Sequence, residues 1–281
     1  MSRKILFFDI DETLMDGRTQ QVPESAIEGI KKAHDKGHLI FINTGRCKSF
    51  IPACLQEIAI DGFAYGCGSH IEYQGKVLFE KFVPKDDICF LRDAMQASEM
   101  QGIFQGPRYC YFGEEAIDVL SAVREREEHR PAEKRCYENF RKFLKLYERD
   151  YHAELRSDRE ENMEINKLVT FRVSSCDYDT FLQKTRDKYQ LIENGNGFTE
   201  ILPLIYTKAT CIDFLADYFQ IEKRNCYVFG DSPNDLPMLT HVENSIAMGN
   251  SYQEVKDISK YVTKEIDQDG IYDALKHFSI I

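Results

Sequence analysis

At 281 residues with 43% hydrophobic content, the chain can bury one large core or two modest ones, and length alone favours about two domains. A formal net charge of -11 argues against a surface for nucleic acid, whose binding rests on a basic field over the phosphates. No stretch approaches the ~20 apolar residues that span a bilayer, Asp9 and Asp11 interrupt any leader-like run, and nine cysteines without a CxxC pair read as reduced thiols; a cytoplasmic protein with no membrane or nucleic-acid partner is expected.

The first element, residues 5–8, is apolar on both faces and too short for a membrane span, which predicts a strand buried in a parallel sheet. It stops at Asp9-Ile10-Asp11-Glu12-Thr13-Leu14. In open α/β sheets ligands bind at the carboxyl ends of the strands, where Asp9 and Asp11 would stand, although Asp and Thr also end strands simply as turn residues. A tight turn over 15–18 leads to a helix opened by Pro23 and stopped at Gly37. A second buried strand over 38–43 ends in Thr44-Gly45-Arg46 and completes a βαβ unit, so Thr44 falls on the same sheet edge as the aspartates.

Residues 50–58 read as a helix, 63–66 as a strand, and 71–73 with 77–79 as a hairpin around Gln74-Gly75. Beyond Pro84 the chain becomes helix-rich and charged, with long amphipathic runs over 116–130 and 133–149. Glu125-Arg126-Glu127-Glu128 reads as a solvated helix face, and His129 and His152 as surface residues. A half-buried strand is expected over 168–173 and a helix over 179–189. The expected division is 1–82 with 196–281 as one α/β domain and 83–195 as an inserted α+β domain.

Residues 199–203 read as the strand returning to the first domain, followed by a helix from Thr207-Lys208-Ala209-Thr210 to Phe219. The strand over 226–229 is again apolar on both faces and ends in Gly230-Asp231-Ser232-Pro233-Asn234-Asp235. Segments 244–250 and 261–263 finish the sheet, with Asn250 or Ser251 placed to cap the helix between them.

Collected on one sheet edge, Asp9, Asp11, Thr44, Asp231, Asn234, Asp235 and Lys208 supply a carboxylate nucleophile, a second carboxylate two residues on, a hard-oxygen site suited to Mg2+, and neutral and cationic groups for an anion. Those are the parts phosphoryl transfer needs. Singly, each has a plain structural reading: Thr44-Gly45-Arg46 as a helix cap, Lys208 as a surface lysine, Gly230-Asp231 as a turn. Cys47 reads as a small buried hydrophobe, Arg46 as a residue facing solvent or standing behind the site, and Tyr109 and Tyr111 as core.

The four motifs, Asp9 to Leu14, Thr44-Gly45-Arg46, Lys208 and Gly230 to Asp235, with Ile246-Ala247-Met248-Gly249-Asn250, Val262-Thr263 and Asp269-Gly270-Ile271 behind them, resemble the haloacid dehalogenase superfamily, and within it the Cof-type phosphatases with a large α/β cap. The resemblance implies a Rossmann-like parallel-sheet core carrying an inserted α+β cap. It implies Asp9 as the nucleophile that becomes aspartyl phosphate and Asp11 as general acid and base. It further implies Mg2+ held by Asp9, the carbonyl of Asp11 and Asp231, phosphate contacts from Ile10, Thr44, Gly45, Lys208 and Asn234, and Asp235 orienting Lys208 or a water on the metal. Glu12 stands where the family has glycine, Cys67-Gly68-Ser69 where it has Asn-Gly-Ala, and Ile205-Tyr206 where it has Gly-Val. The expected activity is Mg2+-dependent hydrolysis of a small phosphorylated metabolite, a sugar, nucleotide or cofactor phosphate. A phosphomutase of the same fold and a non-catalytic phosphate-responsive binding protein are the alternatives, and nothing in the pattern fixes an oligomeric state.

Overall fold

The computed structural model describes residues 2–111, 154–156, 163–171, 176–194 and 198–281. The amphipathic runs expected over 116–130 and 133–149, with Glu125 to Glu128, His129 and His152, lie outside the described residues. The chain divides into two compact units, Met1–Arg46 with Ala53–Glu80 and Ile205–Ile281, and Cys47–Pro52 with Lys81–Leu204.

The first unit is an α/β layer structure around an eight-stranded sheet. Its centre is β1 (Ile5–Phe8), flanked in parallel by β2 (Leu39–Asn43) and β12 (Cys226–Gly230). Every residue of these three strands is buried, because helices cover both faces and leave no polar side to alternate with. Outward from β12 lie β13 (Asn244–Ala247) and β14 (Tyr261–Val262), and outward from β2 lie β3 (Gly62–Tyr65), β4 (His70–Tyr73) and β5 (Lys76–Glu80). Strands β14 through β3 run parallel; the β4–β5 hairpin is antiparallel, and its two turn residues, Gln74 and Gly75, both take left-handed φ values of 48° and 76°. One face packs Ile5, Phe7, Phe41 and Val228 against Ile212 and Leu215 of α4 (Thr210–Phe219) and Met238 and Leu239 of α5 (Leu236–His241).

Registry places the site. Ile5 pairs with both Leu39 and Cys226, and Phe8 with both Ile42 and Phe229, so β1, β2 and β12 end side by side. The Asp9 N–H still donates to the Phe229 carbonyl at 3.1 Å, which carries the pairing one residue into the loop after β1. The α/β class with a parallel-dominated sheet is the one expected from the sequence.

The second unit is α+β: a six-stranded sheet in the order β10 (Tyr189–Asn194), β11 (Phe198–Pro203), β9 (Lys167–Phe171), β6 (Gln101–Gln105), β7 (Tyr109–Tyr111), β8 (Glu154–Arg156). It is antiparallel except between β7 and β8. Helices α2 (Lys85–Ala97) and α3 (Tyr178–Thr185) bring Ile88, Leu91 and Phe181 onto Phe104, Leu168 and Ile201. Tyr111 is in this core and Tyr109 packs against it, while Cys47 is fully buried with its thiol 3.7 Å from the Gln105 carbonyl.

Three local expectations are corrected. Residues 199–203 do not return to the first sheet: Ile201 pairs with Leu168 on β9, so β11 is an inner strand of the second sheet, and the change of unit falls between Leu204 and Ile205 rather than at 195/196. The helix expected over 179–189 ends at Thr185, and Tyr189 already begins β10, its ring buried in the core. The helix expected over 50–58 is two short 3-10 turns, Lys48–Phe50 and Ala53–Glu57, since Pro52 forbids a helical residue before it and Ile51 is extended at φ -78°, ψ 124°.

Candidate active site

Polar residues that follow β1 and β12 meet Lys208 at one edge of the first unit, where β2 also ends. Lys208 is fully buried, and its ammonium donates to Asp9 Oδ1 at 2.7 Å and to Asp235 Oδ1 at 2.6 Å, with Asn234 Oδ1 at 3.4 Å. Its position is fixed from the chain side as well, because Asn43 Nδ2, at the end of β2, donates to the Lys208 carbonyl at 2.8 Å. Asp235 closes the loop after β12: its Oδ2 accepts from the N–H groups of Asp231 and Ser232 at 2.9 and 3.1 Å. Gly230 lets this happen, since a Cβ there would stand 2.6 Å from Asp235 Cγ.

The electrostatics follow from burial. Asp9 is pushed up to about 7, chiefly by burial and further by the Asp235 and Asp11 carboxylates, with Lys208 acting against the rise. Burial likewise lifts Asp231 to about 8, helped by Asp9 and Asp235 and opposed by the hydroxyl of Thr13 and by Lys208. Burial works against the ammonium of Lys208, but Asp235 and Asp9 outweigh it and hold the lysine protonated. Carboxylate oxygens of Asp9, Asp231 and Asp235 lie within 4.8 Å of one another, all three buried. One lysine does not balance them, so these hard oxygens fit a divalent cation. Asp235 has both oxygens engaged by Lys208 and backbone N–H groups, which leaves Asp9 and Asp231 better placed as ligands.

The remaining expected residues take different places. Thr44 is buried at the end of β2, and its hydroxyl accepts from the Arg46 N–H at 3.1 Å; Gly45 is buried beside it. Ile10 buries its side chain and turns the loop, its carbonyl accepting from Leu14 and Met15 N–H at 2.9 and 2.8 Å. Asn234 sits over Lys208 with its carbonyl oxygen accepting from Ser232 Oγ at 2.9 Å. The Asp11 side chain stands outside the buried carboxylate group, half exposed, and is held by the guanidinium of Arg46.

Four supporting residues have contacts that the sequence reading did not give them. Thr13 Oγ1 donates to Asp231 Oδ1 at 2.7 Å, tying the first motif to the fourth. Asn250, expected as a helix cap, instead donates from Nδ2 to the Glu12 carbonyl at 2.7 Å and accepts the Ile266 N–H at 3.0 Å, while Ser251 bonds the Gly230 carbonyl and the helix Gln253–Ile258 starts without a side-chain cap. Asn43 and Arg46 complete the set. Only their place beside a motif marked them, because a donor that acts across 218 positions, as Thr13 does, leaves no local pattern.

A family model described as haloacid dehalogenase-like hydrolase matches residues 6–275. The chain belongs to the haloacid dehalogenase-like hydrolases. It is a phosphatase of that family. YkrA of Bacillus subtilis (strain 168) is 26% identical over 282 residues, covering the whole of both chains. The same organism's 5-amino-6-(5-phospho-D-ribitylamino)uracil phosphatase YwtE is 29% identical over 287 residues and 95% of each chain. Among solved structures, the HAD subclass IIB sugar phosphatase BT4131 superposes with a TM-score of 0.78 at 27% identity, over 99% of this chain and 100% of the other.

Proposed function

We propose that this phosphatase uses Asp9 as its nucleophile, takes Mg2+ as cofactor, and hydrolyses a small phosphorylated metabolite of the sugar, nucleotide or cofactor phosphate class. The observation that carries the reading is Lys208, buried between Asp9 and Asp235 and beside Asp231 at the joined ends of β1 and β12. Asp9 Oδ attacks phosphorus as the bond to the leaving oxygen breaks, and Asp11 gives that oxygen its proton. Water then attacks the aspartyl phosphate, Asp11 takes its proton, and Asp9 is released with inorganic phosphate. Lys208, Thr44 and Asn234, with the N–H groups of Ile10 and Gly45, hold the non-reacting oxygens throughout. Asp9, Asp231 and the Asp11 carbonyl would hold Mg2+, which would supply charge neutralisation between a carboxylate and a phosphate dianion. Phosphate monoester hydrolysis asks for on the order of 20 kcal/mol or more, which calls for nucleophile, acid and charge stabilisation together.

The relatives support the substrate class: one is named for a ribitylamino-uracil phosphate and one for sugar phosphates. The test is inorganic phosphate release from a panel of phosphorylated metabolites, with Mg2+ or chelator, for the wild type and Asp9→Asn. Release that needs both Mg2+ and Asp9 is expected. Equal release from Asp9→Asn, or none from the wild type, would overturn the reading.

A further inference from the structure

Resting on the reading of Asp11 as the proton donor, we infer that Arg46 is a positioning residue that selects the working orientation of Asp11. The guanidinium grips both oxygens of the carboxylate, Nε to Oδ2 at 2.9 Å and Nη2 to Oδ1 at 2.6 Å. Such a fork fixes direction as well as distance, because two parallel N–H···O bonds are satisfied in one relative orientation of the two planes. Asp11 has need of it. Its side chain is 51% exposed, whereas that of Arg46 is 22% exposed, so the better-buried guanidinium is the member of the pair that constrains the other.

Arg46 is itself held at the backbone on two sides. Its N–H donates to Thr44 Oγ1 at 3.1 Å, and its carbonyl accepts from the Gly66 N–H at 2.9 Å, which anchors the arginine to the ends of β2 and β3. The chain of contacts therefore runs from two buried strands through a pinned arginine to the side chain that delivers the proton. In the first half-reaction Asp11 gives its proton to the leaving oxygen as the P–O bond breaks and the bond to Asp9 forms; Arg46 sets where that carboxyl points and contributes neither atom nor proton.

The test separates positioning from phosphate binding by varying the leaving group. kcat/KM covers transfer to Asp9, and p-nitrophenolate departs without a proton while an alkoxide needs one. Arg46→Ala and Arg46→Lys should lose on the order of 10- to 100-fold in kcat/KM on an alkyl phosphate, part of the usual general-acid contribution, and less than about 3-fold on p-nitrophenyl phosphate. Lysine should not rescue, since a point charge cannot make the fork, whereas millimolar guanidinium should restore part of the Arg46→Ala loss. Arg46→Ala combined with Asp11→Asn should be no slower than Asp11→Asn alone. Equal losses on both substrates, or additive losses in the double variant, would overturn the proposal and make Arg46 a binding residue. A wild type that Asp11→Asn matches would sink the parent reading and this one with it, and would do so before any Arg46 variant was measured.

Discussion

Glu12 lies at φ 57°, in the left-handed region, immediately after Asp11. The sequence marks it as a departure from glycine, and the backbone gives the physical reason that glycine suits the position: a non-glycine residue there costs roughly 1–2 kcal/mol, partly offset by the lower chain entropy it has to lose. What Glu12 gains is a bond from the Gly17 N–H to its Oε1 at 3.2 Å, made in an exposed loop. Glu12→Gly should therefore raise the melting temperature by about 1–3 °C, since ~1 kcal/mol moves a protein of this size by about 2–4 °C; a fall on calorimetry would mean that the Gly17 bond outweighs the strain. Cys67, where the family has asparagine, also lies in the left-handed region, at φ 54° in a buried turn. Residue identity was thus enough to flag both positions, but only the dihedral says why they differ. Arg46 is the opposite case: its identity was visible, and the role proposed for it rests on a bidentate contact with a residue 35 positions away.

At the scale of elements, what could be read from sequence was the set of apolar strands at the centre of the first sheet; β6, buried from Gly102 to Gln105, was not read, because Gln101, Gly102 and Gln105 break its apolar run. Runs such as Ile5 to Phe8 and Cys226 to Phe229 have one physical explanation at that length, and the polar residues after them fall on one edge once the strands are parallel. Residues 199–203 misled because an apolar strand says nothing about which sheet it joins; the pairing of Ile201 with Leu168 decides that, and pairing is a tertiary fact. The junction of β12 with its loop offers a direct test of how the elements hold the site. In Gly230→Ala the added Cβ would stand 2.6 Å from Asp235 Cγ and 2.7 Å from its Cβ, both on a short side chain with little room to yield. Asp235 must move, and with it the bonds to Lys208, Asp231 N and Ser232 N. Overpacking of this kind costs about 1–3 kcal/mol, so the variant should remain folded. A misplacement near 1 Å should lower kcat/KM by roughly 100-fold. Wild-type turnover in a folded Gly230→Ala protein would show that Asp235 does not need its present position.

For the whole molecule, the buried carboxylates couple stability to pH in the direction opposite to ordinary surface acids. Asp231 at about 8 and Asp9 at about 7 bind protons more tightly folded than unfolded, where both lie near 3.8. Between those limits the native state carries the extra protons, so metal-free stability falls as pH rises from about 4 to about 8. Asp231→Asn keeps an oxygen for the Thr13 hydroxyl and cannot deprotonate. In chelator it should melt several degrees above the wild type at pH 8, with the gap closing toward pH 5, where Asp231 is already neutral. In the proposed reading Mg2+ removes the same strain by replacing protons with a cation. Added Mg2+ should then raise the wild-type melting temperature more at pH 8 than at pH 6, and should leave Asp231→Asn nearly unmoved, because ligand stabilisation follows the free concentration over Kd and the variant has lost an anionic ligand. Melting curves across pH, with and without Mg2+, check both halves. A wild type whose metal-free stability rises from pH 5 to pH 8 relative to Asp231→Asn would show that Asp231 is ionised without a cation, and that Lys208 and Thr13 alone balance its charge.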